Sequence, residues 1–284
     1  MAEAGSATVA AARVRTRVQR SSGWAPLDLG ELWRYRDLLF ILVGRDLKLR
    51  YRQTFIGAAW VVLRPLVAAA VFAVVFGRLA GMPSDGVPYV AFAYTGLLGW
   101  TCFSEAVTRG ANSLVGQASL ITKVYFPRLL VPLASTLAVL VDVAVSLVTL
   151  GLILAFYAIW PGSRLLALPL FLLLIVLVAW GVGVWLSALS VYYRDFIYAL
   201  PFVVQVWMYV TPVVFPASLV PERWRWLLAL NPLASWIEGV RWAALGRSSV
   251  EPRMVLVSGI VTMLLVASGL LYFRRVERAF ADVI

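Results

Sequence analysis

The chain has 284 residues, 62% of them hydrophobic and 14% charged, with a mean hydropathy of +0.88. Soluble domains are about 45–50% apolar and about 25% charged, so a conventional cytosolic enzyme and a disordered chain are both excluded in favour of an integral membrane protein. The net charge of +11, set beside long apolar runs, belongs to cytoplasmic loops and lipid head groups rather than to nucleic acid.

The missing residues narrow the chemistry further. There is no His and a single Cys, Cys102, so a Ser-His-Asp triad, a His/Cys metal cage and an intrachain disulfide are all impossible. The two lysines, Lys48 and Lys123, follow Leu47 and Thr122, so no Gly-Lys-Ser/Thr phosphate loop exists. Residues 1–30 are rich in Ala and Arg without an apolar centre. They read as a cytoplasmic tail, because a secretory signal needs a hydrophobic core.

Residues 31–53 predict a helix with two faces. At 100° per residue Arg34, Asp37, Arg45, Lys48 and Arg52 form one stripe, and Leu32, Tyr35, Leu39, Leu42, Val43 and Leu47 form another, with Ile41 intruding on the polar side. Such a helix lies in the membrane interface. It is a simple anchor or, since Arg presents a fork matched to phosphate oxygens, a place where Arg45, Lys48, Arg50 and Arg52 meet a lipid head group or pyrophosphate. The two roles are compatible.

Residues 54–284 predict six spans, near 57–79, 88–107, 129–160, 165–191, 196–215 and 254–273, since about 20 apolar residues cross the hydrocarbon as a helix. The expected fold is an all-α integral membrane protein with six transmembrane helices. Between spans two and three, the stretch around 112–128 predicts a short amphipathic helix ending before Pro127. Leu120, Ile121, Tyr125 and Phe126 on it are expected to be exposed, either as a docking knob for a partner protein or re-entering the head groups. Asp142, Glu105 and Arg64 fall within or near apolar spans. A charge at membrane depth is costly, so Asp142 must face the bundle or water, pair, or be protonated, and Arg64 is placed to pair with Glu105. The segment 216–253 carries Trp224, Trp226, Trp236 and Trp242 and is broken at Pro221 and Asn231-Pro232 into pieces too short to span. Tryptophans there are interfacial anchors or line a cavity. Seventeen of the 25 Lys and Arg fall on the side of the N-terminus and seven on the opposite side, with Arg64 inside a span, so both termini are expected in the cytoplasm.

Several stretches together resemble type 2 ABC exporter permeases of the branch that exports O-antigen, teichoic acid and related polysaccharides. They are Arg50-Tyr51-Arg52-Gln53-Thr54 with Gly57 and Trp60, then Leu120 to Arg128 followed by Val131-Pro132-Leu133. Tyr193-Arg194-Asp195, Thr211-Pro212-Val213 and Asn231-Pro232-Leu233 follow in order. The resemblance covers about residues 32–273.

That resemblance implies one half of a homodimeric channel, docked on two separate nucleotide-binding subunits that carry ATP and magnesium, with no cofactor on this chain. Coupling would run through Ser119, Leu120, Ile121, Lys123, Tyr125 and Phe126, with a second contact at Arg194 and Asp195. Residues 31–53 would be the gate helix beside the lipid entrance. The segment with Trp224, Trp226, Trp236 and Trp242 would form re-entrant outer gate helices. A sugar polymer offers C–H faces to aromatic rings, which makes Phe92, Tyr94, Trp100, Phe103, Trp207 and Tyr209 candidates for a sliding channel surface. The expected cargo is a lipid-linked polysaccharide moved outward across the bacterial inner membrane. A permease for a smaller drug or lipid, and an ion-driven transporter sensitive to Asp142, are the competing transport readings. A lipid-modifying enzyme would have to draw acid/base chemistry from Asp, Glu or Arg alone.

Overall fold

The computed structural model describes residues 29–52, 59–247 and 251–283, and these are helical with connecting turns. The tail up to residue 28, and Gln53, Thr54 and Gly57 of the first motif, lie outside the described residues. In chain order the helices are α1 (Leu29–Arg34), α2 (Arg36–Tyr51), α3 (Ala59–Phe72), α4 (Tyr89–Gly116), α5 (Ala118–Lys123), α6 (Leu130–Leu137) and α7 (Val139–Phe156). They continue as α8 (Leu168–Tyr192), α9 (Asp195–Val210), α10 (Glu222–Leu230), α11 (Pro232–Leu245), α12 (Pro252–Val276) and α13 (Phe280–Val283). A π-helical run, Ala73–Leu79, extends α3, and a 3-10 turn, Gly162–Ala167, leads into α8. Pro232 and Pro252 open α11 and α12, where a missing N–H costs nothing and the fixed φ suits the helix.

Among the described residues four helical stretches are long and apolar enough to cross a membrane: Ala59–Leu79, Leu130–Phe156, Gly162–Tyr192 and Pro252–Ala279. They correspond to expected spans one, three, four and six. The other two expected spans look different. α4 has 28 residues and runs nine beyond Val107, but Thr, Ser, Glu105 and Arg109 dilute its apolarity. It is caged by protein, with nearly every residue from Ala91 to Val107 buried or half-buried. α9 has 16 residues and stops at Val210, short of the expected end at 215, because Thr211-Pro212 turns the chain out of the helix. The expected single helix over 31–53 is divided at Tyr35 into α1 and α2.

α4 is the centre of the molecule, packed by α3, α6, α7, α8 and α11. Its closest neighbour is α8. A Cβ added at Gly110 would lie 3.2 Å from the Gly183 Cα, so the two helices meet backbone to backbone as small residues allow in membrane bundles. The main hydrophobic core surrounds α4 and α8. A smaller, separate core lies beyond it, joining α2, α5, α6, the last turns of α8 and α12, and α13. The outward faces are bare and apolar, as Leu63, Val67 and Val71 on α3 and Val148, Leu152 and Phe156 on α7 illustrate. In water such faces would drive association; against lipid tails they are solvated.

Candidate functional site

Where α2, α3, α4 and α7 meet, charged side chains line a cavity of about 230 Å³. Asp142, buried near the start of α7, accepts hydrogen bonds from the Arg50 guanidinium and the Tyr51 hydroxyl, both at the end of α2. Arg109 Nη2 of α4 reaches the same carboxylate at 3.4 Å. Glu105, one turn earlier on α4, receives Arg109 at 3.4 Å and Arg64 of α3 at 3.6 Å, with Arg50 at 4.0 Å. The pairing of Arg64 with Glu105 is therefore present, inside a larger cluster. Asp142 faces the bundle and is paired, and its partners tie α2 down onto α7. Burial, and then the bond to the Asp142 carboxylate, push the Tyr51 phenol up to about 12.

Among the described residues three guanidiniums face two carboxylates, leaving one positive charge in excess at the wall of an open cavity. The Arg64 side chain is 79% exposed, so its charge is available to an anion. Of the four basic residues expected to meet a head group, Lys48 and Arg52 are exposed. Arg45 is engaged with Asp46 at 2.8 Å, which also accepts from Ser135 of α6 at 3.0 Å, and Arg50 is turned inward. The apolar stripe of α2 is partly as expected: Leu42 is buried and Leu32, Tyr35, Leu39 and Val43 pack beside it. Phe40, Ile41 and Leu49 are nevertheless exposed, so apolar side chains also stand outside the packed stripe.

The short helix α5 is a foot with a buried root and a bare sole. Ser119, Lys123, Val124 and Tyr125 are exposed, Tyr125 by 73%, and Leu120 is half-buried. Ile121 and Phe126 are not exposed, contrary to expectation; both are buried in the smaller core. A six-residue helix cannot hold its own shape in water, and these two side chains are what fix it. Arg194 and Asp195, between α8 and α9, are exposed, as are Tyr192 and Tyr193 beside them.

The aromatic candidates separate sharply. Phe92, Tyr94, Trp100 and Phe103 are buried in the main core. They present no surface to any passage, because α4 is enclosed by its own protomer, and the expectation that they form a sliding surface is corrected. Trp207 is half-buried, edge-on to Phe103 with ring centroids 5.0 Å apart, and donates Nε1 to Asn231 Oδ1 at 3.2 Å. Tyr209 is exposed, and it shares α9 with Tyr198, 81% exposed, and Phe202, 71% exposed. The spacing 198, 202, 209 is a single helical face, a signal present in the sequence that counting aromatics span by span passes over.

The four tryptophans between α9 and α12 also divide. Trp224 and Trp226 on α10 are exposed. Trp236 on α11 is buried with Nε1 bonded to Thr262 Oγ1 at 3.1 Å, and Trp242 packs edge-on to Phe171 of α8. The residue that sequence reasoning missed here is Arg241. Counted as a loop charge, it is in fact 1% exposed, over the ring of Phe92 at 3.8 Å. It donates to the Pro212 carbonyl at 2.7 Å, to the Val213 carbonyl, and to Glu238 Oε1 at 2.9 Å. The same Glu238 oxygen accepts the Ala217 N–H at 3.2 Å. One ion pair thereby holds the non-helical chain after α9. Glu238 and Arg241 stand three apart in an otherwise apolar stretch, which is the trace it leaves in the sequence.

Comparison with known proteins agrees with this architecture. Residues 37–245 match the family described as ABC-2 type transporter. The chain is 28% identical over 262 residues to the O-antigen export system permease protein RfbA of Klebsiella pneumoniae, covering 90% of this chain and 97% of that protein. It is 30% identical over 253 residues to the protein of the same name from Myxococcus xanthus, covering 88% and 96%. The polysialic acid transport protein KpsM of Escherichia coli is 20% identical over 236 residues, covering 83% and 92%.

Proposed function

Because this chain belongs to the ABC-2 type transporter family, we propose that it is the membrane subunit of an ATP-driven exporter that carries a lipid-linked polysaccharide outward across the bacterial inner membrane. The observation that carries this reading is the end-to-end likeness to O-antigen export permeases. In it α4 and α9 complete six spans, both termini are cytoplasmic, and a second copy closes the channel. The exposed apolar and aromatic faces of α3 and α9 support such a pairing. ATP and magnesium act on two separate nucleotide-binding subunits that press on the sole of α5 and on the Arg194–Asp195 loop, tilting α3 and α9. Tyr198, Phe202 and Tyr209 give a polymer flat rings to slide over without gripping one register. α10, with its exposed tryptophans, is the outer gate. The lipid pyrophosphate approaches past Lys48 and Arg52 towards the cavity at Arg64, where the cationic excess favours it.

Purification from mild detergent tests the reading: a nucleotide-binding subunit is expected in equal amount, with bound glycolipid seen by mass spectrometry. Uphill transport by the chain alone in liposomes, driven only by an ion gradient, overturns it. Replacing Lys48 and Arg52 together by Gln is expected to lower bound glycolipid on the order of tenfold while leaving assembly intact, since exposed charges contribute little to stability. Loss of assembly instead would make α2 an anchor and nothing more.

A further inference from the structure

After Phe273 the chain turns strongly charged, with Arg274, Arg275, Glu277 and Arg278 in five residues. It then folds back to bury Phe280 completely. Phe280 meets Phe273 edge-on with ring centroids 5.3 Å apart, and Tyr192 at 6.4 Å. It belongs to the same small core as Ile121 and Phe126, the root of the foot, and as Leu42 of α2. The turn that brings it there is fastened from the foot's side, because the Arg128 guanidinium, two residues after Phe126, donates to the Glu277 carbonyl. Arg274 adds an ion pair to the Glu277 side chain at 3.1 Å. A charged segment that returns to place one ring beneath a six-residue helix is a support for that helix.

We propose that Phe280 is a positioning residue for coupling: it seats α5, so that displacement of the sole at Tyr125 passes through Ile121 and Phe126 into α12 and α2 together. This deepens the proposed function and rests on it for the identity of the force, though not for the seating itself. Dense packing transmits displacement where a void absorbs it. Removing the ring would open a void in the core that Ile121 and Phe126 share with it, so that their remaining neighbours hold the foot less closely. α2, whose Leu42 shares the core, would then no longer follow the foot.

The test has two readings. In the full chain alone in detergent, amide hydrogen exchange over residues 118–126 is expected to rise at least tenfold in Phe280→Ala, stay within twofold of the original in Phe280→Leu, and rise in Arg128→Gln. Exchange in the main core, around Ala91–Val107 of α4, stays unchanged. In the complex with its nucleotide-binding subunit, Phe280→Ala is expected to keep ATP turnover and complex recovery within twofold while cargo moved per ATP falls at least fivefold, and Phe280→Leu restores it. Unchanged exchange over 118–126, or unchanged cargo per ATP, overturns the proposal. Should Phe280→Ala fail to insert, Arg128→Gln decides by the same two readings. Failure of the original chain to bind any such subunit sinks the proposed function instead, leaving the exchange result to stand alone.

Discussion

Two of the charged sites among the described residues are built on opposite principles. Near the Tyr89 end of α4, Arg241 and Glu238 are buried: both terminal nitrogens of the guanidinium are committed to carbonyls or to Glu238, and the two residues are 1% and 7% exposed. In the cluster around Asp142 three guanidiniums among the described residues share two carboxylates beside an open cavity, and Arg64 is largely bare. A buried ion pair whose terminal nitrogens are committed in this way holds structure. An exposed cluster with a charge left over can respond to what arrives. Burial and fixed partners, more than the presence of charge at membrane depth, separate support from function.

The largest expected effect is on the buried pair. Arg241→Ala leaves Glu238 buried without its cation and two carbonyls without donors, a loss of about 3–5 kcal/mol visible as a collapse of the thermal unfolding temperature in detergent. Arg241→Lys is expected to recover little, since an ammonium cannot span three acceptors in one plane. If Arg241→Ala is as stable as the original chain, the contrast drawn above is wrong. Asp142→Asn should cost less, about 1–3 kcal/mol, because Arg50 and Arg109 still reach Glu105. Its larger consequence is on transport, as α2 loses its tie to α7, so export is expected to fall further than stability does. Equal losses would make the cluster as structural as the clasp. The smallest effect is alkaline. The Tyr51 phenol, raised from 10.0 to about 12, contributes stability fully present below pH 10 and lost as the pH climbs through about 12. Between those values the unfolding temperature of the original chain should fall more steeply than that of Tyr51→Phe, and parallel curves would show that Asp142 gains nothing from the hydroxyl.

Much of the fold was legible because hydropathy reports how a segment meets lipid. The stretches containing α3, α7, α8 and α12 each keep a face towards the membrane and read as spans. α4 reads less well for the opposite reason: surrounded by protein, it is free to carry Thr95, Glu105 and Arg109, and its apolarity no longer measures its depth. The foot was found from its place before Pro127, but which of its residues face inward depends on Phe280, more than 150 positions away, and no local period encodes that. Arg241 was misread by the same blindness. A charge counted by sequence position looks like any loop charge until the carbonyls after α9 are seen to converge on it. Asp142 was the reverse case, since the energy of an isolated carboxylate there demands a partner before any coordinates exist.

α3 has only 11% of its most apolar stretch buried within the protomer, whereas α4 is held on all sides. A helix so loosely gripped within its own protomer takes its tilt from whatever packs against its bare face, which in the proposed dimer is a second copy. Trp60, Arg64 and Pro65 on α3 and Leu98, Thr101 and Glu105 on α4 form facing walls of one cavity, so the width of that opening follows the tilt that neighbours outside the protomer give α3.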